Sequence, residues 1–486
     1  MADTKEKSGF AATLDSYFSI SARGSSFGQE IRGGLTTFLT MVYIVVLNPI
    51  ILAGVPDNTG HYLGGGTEEG SGFVAIAAAT ALIAGLLTIA MGAYARFPLA
   101  LAAGLGLNSF VAYVLVGSGQ LTWPQAMGLI VIEGVLVLIL VLTKWRLKFL
   151  HAIPTALKKA IAAGIGLFLA FIAFWDSKVV RDPGAPFDPT PSEFGVSGYI
   201  TSWTVVVFFI GLLLAAVLMV RKVKGALLIS IIAATIIAFV LEAIRPQAWS
   251  LNVPTFKGVD FDPLQFSTVF KVDLFGAFTE SVGVGVISAL LLVFALLVVD
   301  FFDTMGTMTA VGEEAGLNDE DGVPANSQEI LIVDSVGAIA GGLGGVSSNT
   351  SYIESASGVG DGARTGLSSV VAGLAFILTL FVTPIAQVIP YEAATPVLVI
   401  VALLMMGSAV DIDWKDYRIA VPAFLTMIIM PFAFSIAAGI GVGFIAYVVI
   451  NAATGRVKEI KPLMWVAAVA FLIYFALPAL RAWTGI

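Results

Sequence analysis

The sequence predicts an all-α polytopic membrane protein of fourteen transmembrane segments, arranged as two inverted sets of seven. Three observations predict it. Of the 486 residues, 58% are hydrophobic and only 12% charged, against roughly 25% charged in an average soluble domain. Apolar stretches of about twenty residues, the length that crosses a bilayer core, recur fourteen times, seven on either side of a polar stretch at 245–271. An odd number of crossings per half turns the second half over relative to the first, which is how inverted-repeat transporters are built.

The elements follow in order. Residues 1–30 are polar and lack the apolar run of a cleavable signal, so they read as a cytoplasmic N-terminal segment with a short amphipathic interfacial helix at 10–20. The first repeat, 31–244, holds apolar segments at 31–54, 73–95, 99–117, 123–143, 155–175, 202–221 and 225–244. An extracellular connection, 245–285, leads to the second repeat, 286–486, with segments at 286–310, 328–345, 346–362, 365–389, 393–410, 417–450 and 463–483. The stretch 417–450 is too long for one crossing and contains Pro431 and the run GIGVG at 439–443, so a break is expected there.

Short cytoplasmic loops are enriched in Lys and Arg. The chain start (Lys5, Lys7, Arg23, Arg32), the loop after the fourth segment (KWRLKFLHAIPTALKK) and the loop after the sixth (RKVKG) all fall on one side, which places the N-terminus in the cytoplasm. Two loops fit poorly. The acidic EEAGLNDEDG at 313–322 falls inside, which matters little because acids weigh weakly in this rule; the basic GRVKEIK at 455–461 falls outside, which leaves the final helices unassigned.

The third segment of each half is a poor helix. FPLALAAGLGLNSF (97–110) and GGLGGVSSNTSYIESASGVGDG (341–362) crowd small residues together, and the second is too polar for lipid. Irregular backbone at membrane depth persists only inside protein or beside a cavity. Glycine-interrupted segments at matching places in two halves therefore mark a transport site.

Ionisable groups inside such segments cost on the order of 2.5 to 3.5 kcal/mol each on insertion scales and are functional suspects by default. Asp300 and Asp303 follow ten apolar residues, and their spacing puts both on about one helical face; Glu354 lies among Ser347, Ser348, Asn349, Thr350, Ser351 and Ser355. The bland alternative is an acid hydrogen-bonded between helices. Such a site offers acceptors and adaptable donors but no fixed cation, which disfavours an anion carrier. It suits a flat, uncharged heterocycle with N–H donors, helped by an amide such as Asn108. A carboxyl in a low-dielectric cavity also serves as a proton carrier, because its charged form is costly there. A proton is thus expected to be coupled ahead of sodium.

Other classes are bounded by composition. There are no cysteines, and His61 and His151 are too isolated for a metal cluster, so no metal or cofactor is expected. The net charge of -8 sits largely in polar loops, which reads as solvated surface rather than a partner site; no nucleic acid is expected, while membrane lipids are, and a homodimer stays open.

Four strings together, GLTTFLTMVYIVVLNPIIL (34–52), AAGLGLNSF (102–110), DFFDTMGT (300–307) and SSNTSYIESASGVGDGARTGLSS (347–369), resemble the AzgA-like purine permeases, the adenine/guanine/hypoxanthine branch of the nucleobase–cation symporters. The resemblance implies two inverted seven-helix repeats, with short extended strands in segments 3 and 10. It implies a core of segments one to four and eight to eleven and a gate of five to seven and twelve to fourteen. It implies that Asp303 and Glu354 bind the base, with Thr304, Asn108 and the strand residues Ala103, Gly104, Ser348 and Asn349 nearby, and that Asp300, Asp303 or Glu354 couples the proton. Such a protein is a carrier in the plasma membrane and not an enzyme. The chain lacks the Gln-His pair that uracil and xanthine carriers have in their first helix; Asn48 is the nearest substitute, though Asn48-Pro49 reads more simply as a helix break.

GVGD at 358–361 also matches the GxGD string of intramembrane aspartyl proteases. That chemistry needs a second acid sharing the proton, and no Tyr-Asp pair lies in a membrane segment to supply it.

Overall fold

The computed structural model describes residues 9–143, 153–182, 192–257, 259, 261–279, 286–319 and 322–484. The basic loop 144–152 with His151, Lys5 and Lys7, and Glu320 and Asp321 of the acidic loop lie outside the described residues. The described chain is helical almost throughout, and ten of its helices are long and apolar enough to cross a bilayer.

After the short helix α1 (Gly9–Phe18), where an interfacial helix is expected, the first half runs α2 (Phe27–Met41), α3 (Ile44–Ala53), α4 (Phe73–Ala90), strand β1 (Leu101–Ala103), α5 (Leu105–Ser109), α6 (Trp123–Leu142), α7 (Thr155–Asp176), α8 (Trp203–Val220) and α9 (Ala226–Ile244). The second half runs α10 (Val286–Ala315), α11 (Ser327–Gly344), strand β2 (Asn349–Ser351), α12 (Ser355–Gly360), α13 (Gly366–Thr379), α14 (Pro396–Met406), α15 (Tyr417–Phe432), α16 (Ile436–Ala453) and α17 (Pro462–Thr484). Local chemistry sets several starts. The Ser26 hydroxyl accepts from the Gln29 N–H ahead of α2, and Thr122 and Gln125 form a reciprocal capping box ahead of α6.

Segments 3 and 10 hold short strands. They pair antiparallel at the centre of the molecule, with Leu101 opposite Ser351, Ala102 opposite Thr350 and Ala103 opposite Asn349. The ladder continues through Gly104 N–H to Ser348 O (2.9 Å) and Tyr352 N–H to Ala100 O (3.0 Å). Both strands are fully buried, so every backbone group needs a partner inside the protein. The Thr88 hydroxyl supplies one, donating to Leu101 O and accepting from Leu101 N–H, both at 3.0 Å.

Two expectations change. Pro49 does not break its helix; it lies inside α3, and the first segment is instead interrupted between Met41 and Ile44. The stretch 417–450 is broken as expected, but as a hairpin of two antiparallel helices rather than one kinked crossing. A Cβ on Gly439 would meet Met430 and Thr426 O, and one on Gly443 would meet Thr426 and Pro422 O, the descending register of antiparallel packing. The ends agree, since Asp416 before α15 feels the charge of Arg456 after α16. The extra turn returns the basic 455–461 loop to the face that holds Asp411 and Lys159, which are paired at 2.9 Å. The misfit of that loop with the positive-inside pattern thereby disappears.

Candidate functional site

Strand β2 and Gly104, the residue after β1, stand at the head of a cavity of about 1830 Å³, which opens at the face carrying 222–225 and Glu313. Asp303 of α10, Glu354 at the start of α12, Gly104 and residues 350–352 line it. Glu354 is positioned by Tyr43, whose hydroxyl donates to Glu354 Oε1 at 2.5 Å. Tyr43 sits in the interruption of the first segment, so that interruption aims a donor at the acid. Asp303 and Glu354 are close enough to feel one another's charge. The cavity head thus presents two carboxyl acceptors, from different helices, beside Thr350 and Ser351 of β2.

The other expected residues stand behind this wall. Thr304 is buried and shares a hydrogen bond with Thr350 (2.8 Å), tying α10 to β2. Ala103 is buried, and its carbonyl accepts from the Tyr352 hydroxyl. Ser348 donates to Asp300 Oδ1 at 3.4 Å, while Asn349 donates to Ser347 O at 3.4 Å and keeps a bare Oδ1. Asn108 donates to Asn48 Oδ1 at 2.6 Å, and Asn48 in turn donates to Thr80 Oγ1 and Val346 O, at 2.8 and 3.2 Å. Asn108 Oδ1 has no donor. Asn48 is therefore a buried link between α3, α4 and the turn into β2.

Asp300 and Asp303 do not look at one thing. Asp303 lines the cavity, whereas Asp300 is fully buried and turned away from it. Three residues advance a helix by about 300°, leaving the two side chains about 60° apart. At the edge of a cavity wall that offset separates them. The expectation of a site without cations also fails for the cavity as a whole. Lys158 and Lys159 of α7 line it, with Lys158 Nζ 4.6 Å from the centroid of the Phe302 ring.

Glu133 of α6 and Asp334 of α11, both buried, were missed by the sequence reading. Each is an acid inside an apolar segment, so the insertion cost that singled out Asp300 applies equally. Tyr43 and Lys158 carry no comparable signal. Asp361, the acid of the GVGD string, is bound by Lys224 and by Thr36 Oγ1 (2.5 Å); its partner is an ammonium rather than a second carboxyl.

Residues 28–445 match the Permease family Xan_ur_permease. The chain belongs to this family. It is 36% identical to the adenine permease AdeP of Escherichia coli over 461 residues, covering 95% of each chain. To the guanine/hypoxanthine permease PbuG of Bacillus subtilis it is 36% identical over 469 residues, covering 95% of this chain and 99% of the relative. Among solved structures, the transmembrane domain of the cyanobacterial bicarbonate transporter BicA superposes with a TM-score of 0.59 at 14% identity, covering 85% of this permease and 97% of that chain. That likeness speaks for the fold alone.

Proposed function

We propose that this permease imports purine nucleobases of the adenine, guanine and hypoxanthine class across the plasma membrane by proton symport, with its N-terminus in the cytoplasm. The observation that carries the reading is the meeting of Asp303 and Glu354 at the head of one cavity. A purine presents N–H donors on its imidazole ring and on its six-membered ring or exocyclic amine. Two carboxyl acceptors from different helices can take donors from two edges, and Thr350 and Ser351 line the cavity beside them. The relatives named for adenine and for guanine/hypoxanthine support the same substrate class.

The cavity opens beside Lys222 and Lys224, on the face that the basic loops assign to the cytoplasm, so this is the inward-open state. Transport then moves the core, segments one to four and eight to eleven, against the gate around the fixed site. The repeats 31–244 and 286–486, joined by 245–285, contribute to both bodies. An anion carrier of the same fold is disfavoured because the groups at the cavity head are carboxyls.

The test is uptake of labelled adenine, guanine, hypoxanthine, xanthine and uracil into cells lacking their own carriers, with and without an uncoupler. Uptake of the first three that the uncoupler abolishes is expected. Uptake of none of the five would overturn the substrate class, and purine uptake indifferent to the uncoupler would overturn proton coupling.

A further inference from the structure

Behind strand β2 lie carboxyl groups that purine binding does not use. Asp334 of α11 accepts from Ser351 Oγ at 3.0 Å, and Asp300 of α10 accepts from Ser348 Oγ at 3.4 Å. The second oxygen of each has no donor. Into this pair α6 aims Glu133, which has no exposed surface and no N–H or O–H on either oxygen. Its approach is built into the packing: a Cβ on the adjacent Gly134 would lie 2.8 Å from Ile339 N, so only glycine lets α6 sit this close to α11.

Glu133 and Asp300 lie close enough for their carboxyls to act on one another, and Asp334 acts on both. Two ionised carboxylates are both acceptors and cannot bond each other. A bond between neighbouring carboxyls forms only when one of them carries a proton and donates it, an O–H···O⁻ bond of the strong, charge-assisted kind. Among the described residues no Lys or Arg forms an ion pair with any of the three acids. The remaining charged groups in reach are Asp303, which acts on both Asp300 and Asp334, and beyond it Glu354, which acts on Asp303. All of these are acids, so the surroundings supply no internal cation to compensate the site.

We infer that Glu133, Asp300 and Asp334 form the binding site of the coupled proton, separate from the purine site and joined to it by strand β2. The inference rests on the proton-symport reading above and deepens it. β2 is the link because it touches both sites. Its Ser351 hydroxyl and that of the adjoining Ser348 hold the acids, while Thr350 and Ser351 line the cavity just before Glu354. With the proton in place the serines anchor β2, and the strand backbone and Glu354 stand ready for the base. Loss of the proton leaves adjacent carboxylates that repel, and relief of that repulsion moves the helices and the strand they hold. Affinity for purine then depends on the proton, and by reciprocity proton affinity depends on purine.

The experiment uses the purified full chain in proteoliposomes, with labelled guanine, adenine and hypoxanthine. Counterflow is read without ion gradients, and accumulation with an imposed pH gradient. Wild type is expected to exchange and to accumulate. Glu133→Gln is expected to exchange at close to the wild-type rate, to accumulate nothing above the outside concentration, and to lose the pH dependence of exchange. Asp334→Asn should show the same split in weaker form. A wild type that exchanges none of the three bases overturns the purine reading itself. A wild type that concentrates purine alongside an E133Q variant that concentrates it equally well overturns the proton site alone, as does accumulation driven by a sodium gradient and not by pH. Should either variant fail to yield monodisperse protein, wild type decides. Calorimetry of purine binding in two buffers of different ionisation heat should reveal protons moving with purine, and identical heats at every pH overturn the site.

Discussion

β1–α5 and β2–α12 hold matching places in the two halves and pair with each other, yet they contribute different things. Leu101, Ala102, Ala103 and Gly104 offer backbone and close packing but no polar side chain, whereas Asn349, Thr350, Ser351 and Glu354 offer hydroxyls, an amide and a carboxyl. The apolar element lets a neighbour approach; the polar one supplies the chemistry. An inverted repeat can thus keep its geometry in both copies while placing function in one, and substitutions in the two elements should fail in different ways.

The largest effect is expected on the polar side. Glu354→Gln and Asp303→Asn should each lower purine affinity by about 30- to 150-fold, the equivalent of a charge-assisted hydrogen bond of about 2–3 kcal/mol. Tyr43→Phe, which leaves Glu354 Oε1 without its donor, should cost about tenfold, near 1.4 kcal/mol. Calorimetry in detergent checks all three; unchanged affinity in either acid variant would remove that acid from the site.

On the apolar side the expected failure is steric. A Cβ on Gly104 would lie 2.8 Å from Thr350 Cγ2, and Thr350 cannot turn away freely because its hydroxyl is bonded to Thr304. Gly104→Ala should therefore weaken purine binding by about 10-fold, within the 1–3 kcal/mol typical of overpacking. Thr350→Ser removes the clashing methyl and keeps the hydroxyl, so the double variant should recover most of the loss. If the double variant is no better than the single one, the strand pair does not shape the site in this way.

How much of this was legible in the sequence follows the same division. The strand-bearing segments announced themselves because crowded small and polar residues at membrane depth are stable only when enclosed by protein or set beside a cavity, and Asp303 and Glu354 stood out by insertion cost. Nothing in the spacing said that Asp300 would turn from the cavity while Asp303 faced it, because a 60° offset is decided by where the wall of α10 ends. Glu133 and Asp334 are as costly as Asp300 by the same insertion argument, so the signal for them is present in the sequence too. The hairpin of α15 and α16 was half visible: Pro431 marked the break, but only the glycine contacts at 439 and 443 set the direction of the chain beyond it.

Asn108 sharpens the comparison, since it is the one amide that the apolar element carries into its helix. Its amide N–H is committed to Asn48, and its bare Oδ1 is an unmet acceptor one residue beyond the cavity-lining Leu107. Asn108 has no exposed surface, so a base reaches this acceptor only if the wall at Leu107 moves aside. Asn108→Ala should change the ranking among adenine, guanine and hypoxanthine by about 3- to 10-fold, the scale of one neutral hydrogen bond of about 0.5–1.5 kcal/mol. An unchanged ranking with a lowered melting temperature would make Asn108 part of the Asn48 network alone.

The smallest effect is expected where the polar element ends. Asp361 follows α12 and is held by Lys224, from the loop between α8 and α9, while the Arg32 side chain donates to its carbonyl at 2.7 Å. Lys224 belongs to the segments proposed as gate, and Asp361, Thr36 and Arg32 to those proposed as core, so under that proposal this contact spans the two bodies at the cavity mouth. The apolar element has no counterpart of this ion pair among the described residues. Because the Lys224 side chain is 54% exposed, the pair is of the screened kind worth about 0–1 kcal/mol. Lys224→Ala should therefore leave purine affinity unchanged and alter the exchange rate by no more than about fivefold, the span of 1 kcal/mol. Salt gives an independent check, since ion pairs at an open mouth weaken once the Debye length falls to about 3 Å near 1 M. Wild type in high salt should approach the rate of the variant in low salt, and the variant should respond less to salt than wild type. Equal salt responses in the two proteins would show that the Lys224–Asp361 contact does not set the energy of crossing between states.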